Sequence, residues 1–280
     1  MSVFLKTLRD QRWQIAGFGV ALAMIAALDV AVWPAYRDTL QNLQIPPALQ
    51  ALLGSDLNIA TPAGFLSSEF FSWTPVLLIV YGVIAGTGAI AGEDGAGTLE
   101  LLLAQPVARR RLAVEKLAAT SAGMVLTLCI AYVGFALTVP FIAIDISLRD
   151  IAAGVANMLP IALLFFTLSL WLGCLAPGRA LAVAVTVALV TAAYVANTFA
   201  QGIDALHWLR HVTPFYYYGA GTSLVHGIDA AHAGLLLALA ALFALLAVDA
   251  ADRRDVGAGS DLDLARLLRR RHAGGAAVGD

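Results

Sequence analysis

Six apolar stretches, each about as long as a bilayer is thick, constrain the fold of this chain more than any other feature. A helix needs about 20 mostly apolar residues to cross the hydrocarbon core of a membrane. Inside that core every backbone N–H and C=O group must be bonded within the protein, which an isolated apolar stretch achieves only as a helix. The sequence therefore predicts an all-α polytopic membrane protein with six transmembrane helices. These spans cover residues 14–33, 73–92, 117–140, 151–174, 180–200 and 230–249.

The composition supports a membrane protein and argues against a nucleic-acid partner. Hydrophobic residues make up 60% of the chain and charged residues 13%, whereas soluble domains have about 45–50% and about 25%. The net charge of −2 offers no basic surface for nucleic acid. The first apolar stretch follows Lys6, Arg9 and Arg12, as a signal peptide would, but it is longer than a signal core, so we expect it to be retained.

The distribution of basic residues predicts the orientation in the membrane. If the N-terminus is cytoplasmic, 14 of the 17 Lys and Arg residues face the cytoplasm, and only Arg37, Arg149 and Arg210 lie outside. This asymmetry predicts that both termini and the segment between spans two and three are cytoplasmic. We expect a multi-pass protein of the cell membrane of a bacterium or an archaeon.

The loops and the tail carry helix signals of their own. We expect short amphipathic or re-entrant helices in the outer loops 34–72 and 201–229, including one at 45–54 and one that begins at Thr61-Pro62 and bends at Pro75. Pro160 predicts a kink in span four. The chain divides into a six-span transmembrane domain over residues 1–250 and a partly disordered cytoplasmic tail over 251–280. Three leucines of that tail at helical spacing predict contact with anionic lipid or with a partner.

The segment GEDGAGTLELLLAQPVARRRLAVEK, residues 92–116, interrupts the apolar pattern with charges around a set of leucines. Thr98 can cap a short helix in which Leu99, Leu102 and Leu103 share one face, and Pro106 ends it. One interpretation is an interfacial helix whose leucines touch lipid. The other is a helix that docks into the groove of a soluble partner, because exposed leucines surrounded by charges suit that contact.

This segment resembles the cytoplasmic loop of type-2 ATP-binding-cassette (ABC) permeases, particularly the branch with the nitrous-oxide-reductase accessory permease and many antibiotic and drug exporters. The family pattern is an acidic pair, Gly-Thr-Leu-(Glu/Asp)-Leu-Leu-Leu, a residue before Pro, and a basic cluster. Residues 67–93 and 213–229 are similar to the second span and to the Pro-Phe-Tyr-Tyr segment of the same family. Gly95-Ala96 departs from the pattern, since a charged residue often stands there.

The resemblance implies an ABC transporter half with several partners. Two six-span copies would pair within membrane lipid, and two ATPase subunits would dock on the coupling segment 93–112. ATP and Mg²⁺ would be bound by the ATPase, and this chain would bind no cofactor directly. The residues that would contact the ATPase are Glu93, Asp94, Gly97, Thr98, Leu99, Glu100, Leu102, Leu103, Arg109 and Arg110.

The motifs absent from the sequence narrow the function further. It contains no phosphate-binding loop, no His-Glu-x-x-His and no Gly-x-Ser-x-Gly, which argues against an ATPase or a hydrolase within this chain. The favoured function is a permease that exports a hydrophobic or amphipathic substrate. The alternatives are an ion-coupled secondary carrier, although no internal repeat is evident, and a membrane-embedded enzyme.

A few residues inside the spans are candidates for other roles. Asp29, Asn157 and Asn197 are polar groups at membrane depth, which are often functional, although Asp29 could also reach the outer interface. His207 and His211 are spaced to share a metal on a helix, but without a third ligand we expect no metal site. Cys129 and Cys174 are read as small hydrophobic residues. Four glycines of span two predict close helix packing: Gly82, Gly86, Gly88 and Gly92.

Overall fold

The chain folds into a bundle of helices. The computed structural model describes residues 2–42, 61–92, 109–142, 144–202 and 204–253, and within these ranges it contains no β-strand. Six helices are long and apolar enough to cross a membrane, which confirms the predicted fold class. Their bounds are Arg12–Arg37, Pro62–Thr87, Arg109–Phe141, Leu148–Leu175, Arg179–Ala200 and Ala230–Arg253, and we call them spans 1 to 6.

Within the described ranges, ten α-helices build these spans and their connections. A short helix α1 precedes span 1, and three short helices lie in the loops or at the start of a span. In chain order the helices are α1 (Val3–Asp10), α2 (Arg12–Asn42), α3 (Pro62–Leu66), α4 (Thr74–Thr87), α5 (Arg109–Thr138), α6 (Leu148–Leu175), α7 (Arg179–Gly202), α8 (Pro214–Tyr218), α9 (Ser223–His226) and α10 (Ala230–Arg253).

Span 2 begins well before the predicted residue 73, at the helix start expected at Thr61-Pro62. The Thr61 hydroxyl accepts a hydrogen bond from the Gly64 N–H at 3.1 Å, and Pro62 occupies the first turn, where its missing N–H costs nothing. A π-helical segment (Ser67–Phe71) follows. The helix then breaks at Trp73, and α4 begins at the next residue. The last residues of the predicted span form a second π-helical segment (Gly88–Gly92).

Span 1 also differs from its prediction, because α2 continues past Pro34 to Asn42 and so takes in part of the expected loop. Pro160 lies within the helix α6, which runs without interruption from Leu148 to Leu175, and the kink expected there stays a prediction. Three further predictions fall outside the described residues: the helix at 45–54, the part of the coupling segment before residue 109, and the tail beyond residue 253.

The tightest helix pairs skip one span along the chain. Span 1 packs against span 3, span 2 against span 4, and span 4 against span 6, whereas consecutive spans pack less extensively. Two-thirds of the most apolar part of spans 2 and 4 is buried, but only 17% of that part of span 5 is buried. Spans 2 and 4 therefore form the centre of the bundle, and spans 1, 5 and 6 present large apolar surfaces outward.

Candidate functional site

Two basic side chains hold the helix end that leads into the coupling segment. We call this end of the bundle the α1 end, since α1 and the turn between α6 and α7 also lie there. Lys116 of α5 is 4% exposed, and its ammonium group donates a hydrogen bond to the carbonyl of Ala89. Arg179, at the start of α7, donates from Nη2 to the Ile84 carbonyl at 3.3 Å. Cations suit this position because the last carbonyls of a helix carry partial negative charge.

Arg179 also lies along the face of span 2 that carries its last two glycines. A β-carbon added at Gly88 would lie 3.4 Å from Arg179 Nη2, and one added at Gly92 would lie 3.6 Å from its Cδ. The π-helical segment is therefore contacted from two sides, by α5 and by α7. Both contacts are made to the part of span 2 that directly precedes residues 93–108 in the chain. Most of the predicted coupling residues lie in that segment.

Two glycines of α4 allow spans 2 and 4 to approach closely. A β-carbon at Gly86 would overlap Ser169 Oγ and lie 2.8 Å from the Phe166 carbonyl oxygen, and one at Gly82 would lie 2.7 Å from Met124 Cε. The small residues let the backbones meet, as in other membrane helix pairs. Gly82 and Gly86 thus lie at tight helix contacts, whereas Gly88 and Gly92 face the Arg179 side chain.

Two of the polar residues named for a transport path hold the loop between spans 5 and 6. Asn157 Nδ2 donates to the Tyr218 carbonyl at 2.8 Å, and its side chain is buried. Thr213 Oγ1 donates to Asn197 Oδ1 at 3.1 Å. These amides therefore bind the loop in this structure, and a role in transport stays a prediction for both.

The same loop is bonded to span 2 through a buried tyrosine and a tight turn. Tyr218 is 3% exposed, and its hydroxyl donates to the Phe71 carbonyl at 2.9 Å. Ser67 donates from Oγ to the Ala220 carbonyl, and Gly221, at φ +80°, leaves no room for a β-carbon beside that hydroxyl. The segment recognised by its Pro-Phe-Tyr-Tyr sequence is thus fastened to the π-helical part of span 2.

Asp29 has an unusual environment for a residue of span 1. Its side chain is half-buried, and one carboxylate oxygen is buried without a hydrogen-bond partner among the described residues. The carboxylate of Glu69 in span 2 lies close enough to interact with it electrostatically. Buried charges at this depth are costly, so Asp29 stays a candidate for the transport path.

His211, in the loop between spans 5 and 6, belongs to an aromatic cluster. The His211 ring centroid lies 4.8 Å from that of Tyr216, whose ring also contacts His232 at 5.8 Å and the Arg210 guanidinium at 5.2 Å. Among the described side chains, no three His, Cys, Asp or Glu residues are placed to hold a metal ion. The His207 side chain lies outside the described residues, so its pairing with His211 stays untested.

Next to this cluster, Asp229 caps the first turn of α10. Its Oδ1 accepts hydrogen bonds from the backbone N–H groups of His232 and Ala231, at 3.1 Å and 2.9 Å. These two bonds stabilise the carboxylate and lower its pKa below the ordinary value. The start of span 6 therefore depends on Asp229 being ionised.

Of the predicted coupling residues, only Arg109 and Arg110 lie within the described part of the chain. Both stand in the first turn of α5, where the chain re-enters the bundle. The other predicted contacts with an ATPase, from Glu93 to Leu103, lie outside it and stay predictions. The sequence did not single out Lys116 and Arg179 as site residues, because their carbonyl partners are distant in the chain. The only signal that the sequence offers for these two side chains is that each is a basic residue next to the end of a helix.

A comparison with models of known protein families identifies the family of this chain. No curated protein matches the sequence. A family model described as "ABC-2 family transporter protein" matches residues 1–255, which takes in all six spans and the segment between spans 2 and 3. The narrower likeness to the accessory-permease branch stays a prediction. Since the match covers most of the length, the chain belongs to the ABC-2 family of transporter proteins, as a permease subunit of an ABC transporter.

Proposed function

We propose that this permease exports a hydrophobic or amphipathic substrate and that a separate ATPase drives it by docking on residues 93–112. The observation that carries the proposal is the pair of basic contacts beside this segment. Lys116 joins the end of span 2 to span 3, and Arg179 joins it to span 5. A displacement of the docked segment would therefore reach three spans at once.

The leucines of the segment provide the docking surface in this proposal. Leu99, Leu102 and Leu103 would enter a groove of the ATPase as the apolar face of one helical turn, with acidic and basic residues around it. Membership of the ABC-2 family favours this interpretation over an interfacial helix that only touches lipid. It also favours an ATP-driven transporter over an ion-coupled carrier or a membrane enzyme.

The proposed assembly contains two copies of this permease and two ATPase subunits, and the ATPase binds ATP and Mg²⁺. The outward apolar surfaces of spans 1, 5 and 6 are consistent with a second copy on one side and lipid on the other. The segment 93–112 and both termini would face the cytoplasm of the cell. Export of an apolar cargo accords with span walls that are mostly aliphatic.

Changing two leucines to aspartate tests the docking site. The double variant Leu99→Asp, Leu102→Asp should lose co-purification with the ATPase subunit of its transporter, because two charges cannot enter an apolar groove unpaired. The control is Leu5→Asp, which changes a leucine of α1 that is 53% exposed at the same end of the bundle. The control should retain the ATPase. If the double variant also retains it at wild-type yield, the docking site lies elsewhere.

A further inference from the structure

A half-buried glutamine at the junction of α1 and span 1 joins three helices. Gln11 follows the last residue of α1, and its carboxamide lies between spans 2 and 3. Its Nε2 donates to Thr120 Oγ1 of α5 at 2.9 Å, and its Oε1 accepts from the Tyr81 hydroxyl of α4 at 3.0 Å. Both ends of the carboxamide are therefore bonded, one to each of the helices that flank the coupling segment. We call these three side chains the Gln11 network.

The surroundings of Tyr81 fix the position of this network. The Tyr81 side chain has no exposed surface, and its ring stacks on Phe18 with centroids 5.6 Å apart. A β-carbon at Gly123 would overlap the Tyr81 hydroxyl, so the glycine of α5 provides the room for it. A hydroxyl buried in this way would be costly without a partner, and its partner is the Gln11 carboxamide.

The first turn of α1 is bonded to the same helix as its last turn. The N–H of Phe4, one of the groups that a helix leaves unpaired at its start, donates to Glu115 Oε2 at 3.0 Å. Arg111 holds the other oxygen of that carboxylate at 2.8 Å. Glu115 and Thr120 thus bind the two ends of α1 to the beginning of α5.

Helix α1 is consequently attached to span 3 more firmly than to span 1, which follows it directly in the chain. It packs mainly against α5 and only slightly against α2. The same stretch of α5 carries Lys116, one turn before Thr120, and this side chain binds the end of span 2. The start of α5 therefore connects α1 with the end of span 2, where the coupling segment begins.

We propose that Gln11 is a positioning residue for energy coupling: the Gln11 network holds α1 to the start of span 3, so that α1 moves as one body with that helix end and shifts relative to span 1. This inference rests on the proposed function, in which an ATPase displaces residues 93–112. It assigns α1 a part in transmission rather than a role as a passive anchor in lipid.

Two spin-label distances in the permease–ATPase complex, reconstituted in nanodiscs, test the proposal. Labels are placed at three exposed positions, Leu5 of α1, Val114 of α5 and Val20 of α2, and are measured without nucleotide and after trapping with ATP and vanadate. The Leu5–Val114 distance should stay constant, and the Leu5–Val20 distance should shift by a few ångströms. The proposal is overturned if the Leu5–Val114 distance changes, and also if the Leu5–Val20 distance stays constant.

Variants of the network separate coupling from folding. Gln11→Met and Thr120→Val keep the size of the side chain and remove the bonds, whereas Gln14→Met is a matched change outside the network. With either network variant we expect wild-type ATPase binding but a nucleotide-dependent change in Leu5–Val114, and at least a threefold change in the ATP turnover of the complex. Wild-type distances and turnover in both variants would contradict the proposal. Failure of the unaltered permease to bind the ATPase would instead refute the proposed function.

Discussion

Two glycines of span 2 lie two residues apart but face different neighbours. Gly86 meets the backbone and a serine of span 4, which cannot move away without separating the helices. Gly88 meets only the end of the Arg179 side chain, which is long and can shift. The same substitution should therefore have different consequences at the two positions.

We expect Gly86→Ala to destabilise the permease by about 1–3 kcal/mol, because the added methyl group overpacks a tight helix contact. Gly88→Ala should change stability little, since a flexible side chain can accommodate the methyl group. The measurement is the thermal unfolding midpoint of each purified variant in the same detergent. Equal losses of stability would mean that the packing of span 2 is not as described.

At the scale of single residues, the sequence predicted some of the contacts that the structure shows. The small-residue pattern identified Gly82 and Gly86 as packing positions, because that pattern is local. It could not predict that Asn157 and Asn197 bind the loop after span 5, since their partners Tyr218 and Thr213 are far along the chain or depend on the fold of the loop. The same reason explains why Gln11 gave no signal in the sequence.

At the scale of helices, several ends depend on a single polar side chain. Ser2, Thr61 and Ser147 accept hydrogen bonds from the first turns of α1, α3 and α6, and Asp229 does the same for α10. Hydroxyl caps do not titrate in the ordinary pH range, whereas the Asp229 carboxylate does. The start of span 6 is therefore the helix end among these four whose cap depends on pH.

We expect the first turn of α10 to loosen as the solution is acidified. The hydrogen bonds lower the folded-state pKa of Asp229 below the ordinary value of about 3.9. The stabilisation is thus complete above that ordinary value and is lost as the pH falls through the lowered pKa. Hydrogen exchange of the Ala231 and His232 amides, corrected for intrinsic rates, should report the loss. In Asp229→Asn this dependence should disappear, and its persistence would assign the effect to another group.

Helix boundaries can be predicted from the sequence where they depend only on neighbouring residues. Thr61 and Pro62 predicted a helix start correctly, because capping involves only neighbouring residues. The two π-helical segments of span 2 had no recognisable signal. In each segment a carbonyl accepts a hydrogen bond from a side chain that is distant in the chain, Tyr218 of the loop after span 5 or Lys116 of span 3, so the geometry depends on tertiary contacts.

At the scale of the whole molecule, the described chain leaves much apolar surface uncovered on spans 1, 5 and 6. Leu28 of span 1, Val187 of span 5 and Leu245 of span 6 are each at least 48% exposed. Hydropathy predicted that these helices would lie in a membrane. It could not predict which faces meet lipid or protein, since lipid chains and aliphatic side chains are equally apolar.

We expect the functional complex to contain two permease copies, because one copy leaves these faces without protein neighbours. Native mass spectrometry of the complex released from nanodiscs should give a mass that includes twice the 29.3 kDa chain and two ATPase subunits. A complex with a single permease chain at all protein concentrations would rule out the proposed stoichiometry.

The pairing of alternate spans has a consequence for biosynthesis. Span 1 meets its main partner only after span 3 has been synthesised, and span 2 only after span 4. Nascent chains released into the bilayer after two spans would thus lack their native neighbours, and no early hairpin would protect them from quality-control proteases. Premature truncation between spans 2 and 3 should accordingly leave a short-lived fragment, whereas the complete chain gains its main contacts as spans 3, 4 and 6 are synthesised.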